Sequence, residues 1–239
     1  MSTIISEAKE VASTLEGLKA GERISWLYET FGDRVIASSS FGLQSAVMLH
    51  LIAQNAPKIP VIFVDTGYLF PETYQYIEKL SGQLDVDLRR YVPKATAAHQ
   101  EAIYGKLWEQ GAEENRRYAT FNKVEPMNRA IQEIGGDIWL SGLRKSQSST
   151  RANRTFAEQQ RSTLKVYPIL DWADAQVTSY FHEKKLPPHP LESKGYLTMG
   201  DWHSTRLPME GEDAESTRYN GEKYECGLHE ASSENDFQI

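Results

Sequence analysis

The chain has 239 residues, 40% hydrophobic and 25% charged, which suits a globular protein with a substantial core. A formal net charge of −7 argues against a general nucleic-acid binder, which needs a basic field, so any anion site must be locally basic. Apolar runs such as Val61 to Val64 are too short to cross a bilayer, the N-terminus lacks a secretory pattern, and the single cysteine, Cys226, rules out an intrachain disulfide or a cysteine-ligated metal centre built from this chain alone.

A cytoplasmic protein without membrane attachment is expected. In chain order, Val11, Leu15, Leu18, Ile24, Leu27, Tyr28 and Phe31 fall on a helical face, predicting two helices broken near Gly21. Val35 to Ser38 reads as a strand, Ser39 to Gly42 as a tight loop and Leu43 to Gln54 as a helix. A second strand, Pro60 to Val64, ends at Asp65-Thr66-Gly67, and Pro71-Glu72 opens a helix through Leu80. A strand over Val86 to Val92 completes a βαβαβ unit. Val124 to Ile134 predicts a helix, Asp137 to Ser141 a strand, Lys165 to Leu170 another strand, and Ala173 to Lys184 a further helix. This alternation predicts an α/β fold: a mostly parallel twisted sheet with helices on both faces. Residues 1–209 are expected to form one nucleotide-binding domain. Residues 210–239 show no apolar periodicity and are expected to form a flexible, mobile tail.

Ligands of open parallel sheets sit beyond the carboxyl ends of the strands. Here those ends are Ser38 to Gly42, Asp65 to Gly67 and Ser141 to Arg144. The first loop offers hydroxyls and backbone N–H groups at a helix start, a pattern that serves either as a plain N-cap or as an anion cradle. Neither G-x-x-x-x-G-K-[ST] nor G-x-G-x-x-G occurs, which removes the main support for a kinase, GTPase or dinucleotide dehydrogenase. From Gly142 to Lys165, Arg144, Lys145, Arg151, Arg154, Arg161 and Lys165 stand against one acid, Glu158. The segment reads as a positive pole for phosphate or sulfate, or as a charged solvated face. Asp65 suits a nucleoside contact or a turn cap.

Cys226 lies in a polar stretch with little apolar sequence to bury it. Arg218, Lys223 and His229 favour a thiolate, while Glu222, Glu225 and Glu230 oppose it. A thiolate that attacks sulfur leaves an adduct that a second thiol must discharge. The chain has no second thiol, so that reductant would be another molecule.

The chain resembles the phosphoadenylyl-sulfate (PAPS) reductases, thioredoxin-dependent enzymes of sulfate assimilation, nearly from end to end. The resemblance rests on Ser38-Ser39-Ser40-Phe41-Gly42, on Val64 through Thr73, on Lys123-Val124-Glu125-Pro126-Met127, on Gly142-Leu143-Arg144 through Arg151, and on Glu225-Cys226-Gly227-Leu228-His229. It implies an adenine nucleotide alpha hydrolase-like fold, and catalysis by Cys226 with Lys123 and His229. It implies substrate binding by Ser38, Ser39, Ser40, Phe41, Gly42, Asp65, Thr66, Gly67, Arg144, Arg151 and Arg206. It also implies an S-sulfocysteine intermediate, reduced thioredoxin or glutaredoxin as co-substrate, a homodimer, no metal and no iron–sulfur cluster. Cluster-bearing relatives that use adenylyl sulfate carry cysteines where this chain has Tyr118, Ala119, Asp201 and Ser204. Three other readings stay open: an adenylyl-sulfate reductase lacking a cluster, an adenylating enzyme of the ATP pyrophosphatase type, whose S-G-G-x-D-S loop this chain does not match, and a non-catalytic nucleotide sensor.

Overall fold

In the computed structural model, which describes residues 2–160, 162–214 and 216–218, helices α1 (Ser2–Glu16) and α2 (Ala20–Phe31) precede strand β1 (Val35–Ser38). There follow α3 (Ser45–Asn55), β2 (Val61–Val64), α4 (Pro71–Leu84), β3 (Leu88–Tyr91), α5 (Ala97–Tyr104), α6 (Ala112–Ala119) and α7 (Glu125–Ile134). The remaining elements are β4 (Ile138–Leu140), β5 (Ala157–Gln160), β6 (Thr163–Val166) and α8 (Asp174–Glu183). The strands form one sheet in the order β3-β2-β1-β4-β6-β5, parallel throughout except for β5, which runs antiparallel to β6. This is the mostly parallel α/β sheet that the alternating pattern predicts.

Successive residues of a strand point to opposite faces, and here both faces are covered. Val35, Ala37, Val61, Phe63, Ile138 and Leu140 pack with α1 to α4 and α8, while Ile36, Ile62 and Trp139 pack on Met127 and Ala130 of α7. That double burial explains why β1, β2 and β4 read as continuous apolar runs. Pro71 occupies the first turn of α4, where its missing N–H leaves no bond unmade. Arg23, fully inside, ties the N-terminal helices to the exit of β6. Its guanidinium donates to Leu15 O at 2.8 Å and Pro168 O at 2.7 Å, pairs with Asp171 at 2.7 Å, and lies 4.1 Å from the Phe156 ring centroid.

Several sequence expectations need correction. The break between the first helices falls at Gly17 to Lys19, and Gly21 sits within α2, where an added Cβ would come within 2.8 Å of the Asn55 side chain. The strand expected over Lys165 to Leu170 ends at Val166, because Pro168 has no N–H to give a ladder. Helices α5 and α6 and strand β5 have polar sequences without a clear period, so the sequence pattern does not predict them. Either side of position 210, Arg206 N donates to Thr217 O at 3.2 Å and the Arg206 guanidinium pairs with Glu212 at 2.5 Å. No helix among the described residues is long and apolar enough to cross a membrane.

Candidate active site

From β1 the chain moves outward through β2 and β3, then crosses back to β4 and β6 on the other side of β1. Connections that diverge in this way open a crevice at the strand ends. There lies a cavity of about 680 Å³, lined by Ser38 at the end of β1 and Ser39, Ser40 and Gly42 after it, by Thr66 after β2, and by Ser141 to Arg144 after β4. Lys123, Arg151, Asp201 and Arg218 complete its charged wall with Asp174 and Glu192. Four cations against three carboxylates make a locally positive site in an acidic chain.

Lys123 arrives through a π-helical turn, Thr120–Val124, inserted between α6 and α7. The wide turn carries its side chain inward, where the ammonium pairs with Asp201 at 2.6 Å, the two side chains being 8% and 1% exposed. Thr66 donates its hydroxyl to the same carboxylate at 2.6 Å. Burial alone would raise the Asp201 pKa, but the Lys123 ammonium and these hydrogen bonds hold it below the ordinary carboxylate value. Beneath the pair is an aromatic bed. The His203 ring stacks on Trp108 at 4.0 Å and meets Tyr68, Tyr118 and Trp202 edge-on, and burial pushes its pKa down to about 4. Neither His203 nitrogen has a hydrogen-bond partner among the described residues. Tyr118 and Asp201 thus belong to an aromatic and ion-paired floor.

Arg144 is buried and held from three sides: it bonds Asp174 at 2.6 Å, Ser146 at 3.0 Å and the Gln44 amide oxygen. Gln147 joins the two arginines, accepting from Arg144 N at 3.0 Å and from Arg151 at 2.6 Å. The rest of the expected positive pole disperses. Arg154 pairs with Glu158 at 2.6 Å, Lys165 is fully buried in β6, and Arg161 lies outside the described residues.

Ser38, Ser39, Ser40, Gly42, Thr66, Lys123, Arg144 and Arg151 therefore line one cavity. Four candidates do not line it. Phe41 adopts a left-handed φ of 50° and buries its ring against Phe63 at 5.3 Å, so it anchors the loop from below. Asp65 closes its own turn, accepting from Gly67 N at 2.9 Å and Tyr74 OH at 2.7 Å and pairing with Arg90. Gly67 supplies the positive φ of 79° that this turn needs. Arg206 is engaged with Glu212, Leu207 O and Ser216 O. Cys226 and His229 lie outside the described residues. Sequence reasoning missed Asp201 and Gln44 as wall residues, and noted Arg218 only as a neighbour of the cysteine. An isolated polar residue in an irregular stretch carries no local mark of its partner. Gly200 did hint at close packing: an added Cβ there would fall 2.3 Å from the Arg218 guanidinium.

Comparison with known proteins adds to this geometry. Residues 34–207 match the family described as the phosphoadenosine phosphosulfate reductase domain. A phosphoadenosine 5'-phosphosulfate reductase of Photobacterium profundum is 47% identical over 232 residues, 97% of this chain and 92% of that protein. A like-named protein of Pectobacterium carotovorum subsp. carotovorum is 50% identical over 220 residues, covering 92% and 90% respectively. The crystal structure of a phosphoadenylyl-sulfate (PAPS) reductase from Candida auris, a phosphate complex, aligns with a TM-score of 0.73 at 32% identity, over 83% of this chain and 96% of that one. An FMN adenylyltransferase of Candida glabrata, at TM-score 0.58 and 14% identity over 88% of this chain and 71% of its own, shares the fold alone. The chain belongs to the phosphoadenosine phosphosulfate reductase family.

Proposed function

We propose that this protein reduces 3'-phosphoadenylyl sulfate to sulfite and adenosine 3',5'-bisphosphate in assimilatory sulfate reduction, working in the cytoplasm as a homodimer. The Cys226 thiolate attacks the sulfonyl sulfur, the bond from sulfur to the phosphate oxygen breaks, and the bisphosphate leaves. The enzyme then carries an S-sulfonated cysteine. A thiolate of reduced thioredoxin or glutaredoxin attacks the Cys226 sulfur and expels sulfite, and the second thiol of that dithiol resolves the mixed disulfide and restores Cys226. Two electrons pass from the dithiol to sulfur, and no metal takes part. Lys123, Arg144 and Arg151 serve as preorganised cations for the phosphates and the departing charge, and the serine loop holds a phosphate group.

The observation that carries the reading is the cavity at the strand ends, where Ser38, Thr66, Lys123, Arg144 and Arg151 converge. Arg218 lines the cavity, and Cys226 follows only eight residues later, from position 218 to position 226. At about 3.3 to 3.6 Å per residue, eight residues span at most roughly 29 Å, which bounds the distance of Cys226 from the cavity wall at Arg218. The test is sulfite release from 3'-phosphoadenylyl sulfate and from adenylyl sulfate in turn, with reduced thioredoxin. Wild-type protein should prefer the 3'-phosphorylated nucleotide. Cys226→Ser protein should bind adenosine 3',5'-bisphosphate normally, release no sulfite and show no sulfonate adduct by mass spectrometry. Continued sulfite release by that variant would remove Cys226 from the mechanism.

A further inference from the structure

The phosphate loop is supported from beneath by a row of three side chains on neighbouring strands. Trp139 of β4 lies in register with Ile36 of β1, and Lys165 of β6 lies in register with Trp139. Ser38, two residues after Ile36, points to the same face of the sheet. The Trp139 indole N–H donates to the Ser38 hydroxyl oxygen at 2.7 Å, and the buried Lys165 ammonium sits 3.8 Å from the centroid of the indole ring.

The direction of that bond follows from chemistry. An indole nitrogen can only donate, so Ser38 must accept and must keep its own hydrogen. Among the described residues no protein acceptor takes that hydrogen, and Ser38 opens on the cavity. A hydroxyl that accepts one strong hydrogen bond becomes a better donor of its own, and a cation over the indole face draws electron density from the ring and sharpens its N–H. Lys165 is wholly removed from solvent, so water does not screen its field at the ring.

We propose that Trp139 is a positioning residue for nucleotide binding: it occupies the acceptor side of the Ser38 hydroxyl and thereby commits Ser38 to donate to an ionised phosphate oxygen. Lys165 strengthens this from the far side of the ring. The proposal rests on the phosphate-loop reading given under Proposed function. It explains why a serine, rather than any small residue, ends β1.

Trp139→Phe keeps an aromatic ring beside Lys165 and removes the N–H together with the five-membered part of the indole. It should raise the Kd for adenosine 3',5'-bisphosphate, measured calorimetrically, by about tenfold, the effect of one hydrogen bond to a charged group. The loss should fall on KM rather than on kcat. Ser38→Ala should lose about as much, and the double variant should bind no more weakly than Ser38→Ala alone. A second measurement avoids any folding defect of the tryptophan variant: in protein labelled with nitrogen-15 tryptophan, the Trp139 indole resonance should shift on saturation with the bisphosphate, and should stay still in Ser38→Ala protein. Multiplicative losses in the double variant, as for independent sites, would overturn the proposal, and so would an indole resonance that ignores the ligand in wild-type protein. If Ser38→Ala binds as tightly as wild type, the phosphate-loop reading itself fails. If Ser38→Ala weakens binding and Trp139→Phe does not, only the role of Trp139 falls.

Discussion

Lys123 and Asp201 pose a sharp question of charge at a single point. Both lie away from water, and the pairing offsets part of the cost of burying each charge. Asp201→Ala should destabilise the fold by about 3–5 kcal/mol in urea unfolding, since it removes the carboxylate that pairs with a buried ammonium. Asp201→Asn, which can still accept from Thr66, should lose less, and both should raise the KM for the nucleotide by moving Lys123. Acid acts through two buried histidines with a definite sign. His189 and His203 are pushed by burial from the ordinary 6.5 to about 4, so between those pH values the unfolded chain binds protons that the folded chain refuses. Stability must therefore fall as pH falls across that window. His203→Phe retains the stack on Trp108 and removes one of the two titrations, so its urea midpoint should vary less with pH than that of the parent.

Among the elements, the loop after β1 shows how a site is held by what lies beneath it. Phe41 keeps a left-handed backbone that a non-glycine residue adopts only when its surroundings enforce it, and the enforcement comes from its ring, buried beside Phe63. Phe41→Ala should cost about 3–5 kcal/mol as a core truncation, and the same variant should weaken nucleotide binding, because the loop loses its anchor. Equilibrium unfolding and calorimetry on one preparation check both halves. The sequence displayed Phe41 within a ligand-binding motif but could not say that its side chain turns inward. The α6 to α7 segment gives a similar lesson. Its polar first helix offers no apolar stripe to read, and the π turn that directs Lys123 inward arises from packing around Asn122 and Tyr118.

For the molecule as a whole, a net charge of −7 surrounds a cavity whose walls carry more positive than negative groups. Binding of a polyanionic nucleotide should therefore weaken steadily with added salt, as screening shortens the reach of the wall cations. The KM should rise several-fold between about 0.05 and 0.5 M sodium chloride, on the order expected when the screening length falls by about a factor of three. A KM indifferent to salt would contradict electrostatic capture by this wall. The same whole-chain view separates two kinds of information. Hydrophobic period, strand-end loops and the family motifs are local, and they sufficed for the parallel sheet, for the cavity at its carboxyl edge and for Ser38, Lys123, Arg144 and Arg151 as residues that meet there. Pairings between residues far apart in the chain are not local. Lys123 with Asp201, Trp139 with Ser38, and Arg144 with Asp174 and Gln44 became visible only once β1, β4 and the 199–218 segment had converged, because a buried charge or donor is satisfied by whichever partner the fold brings to it.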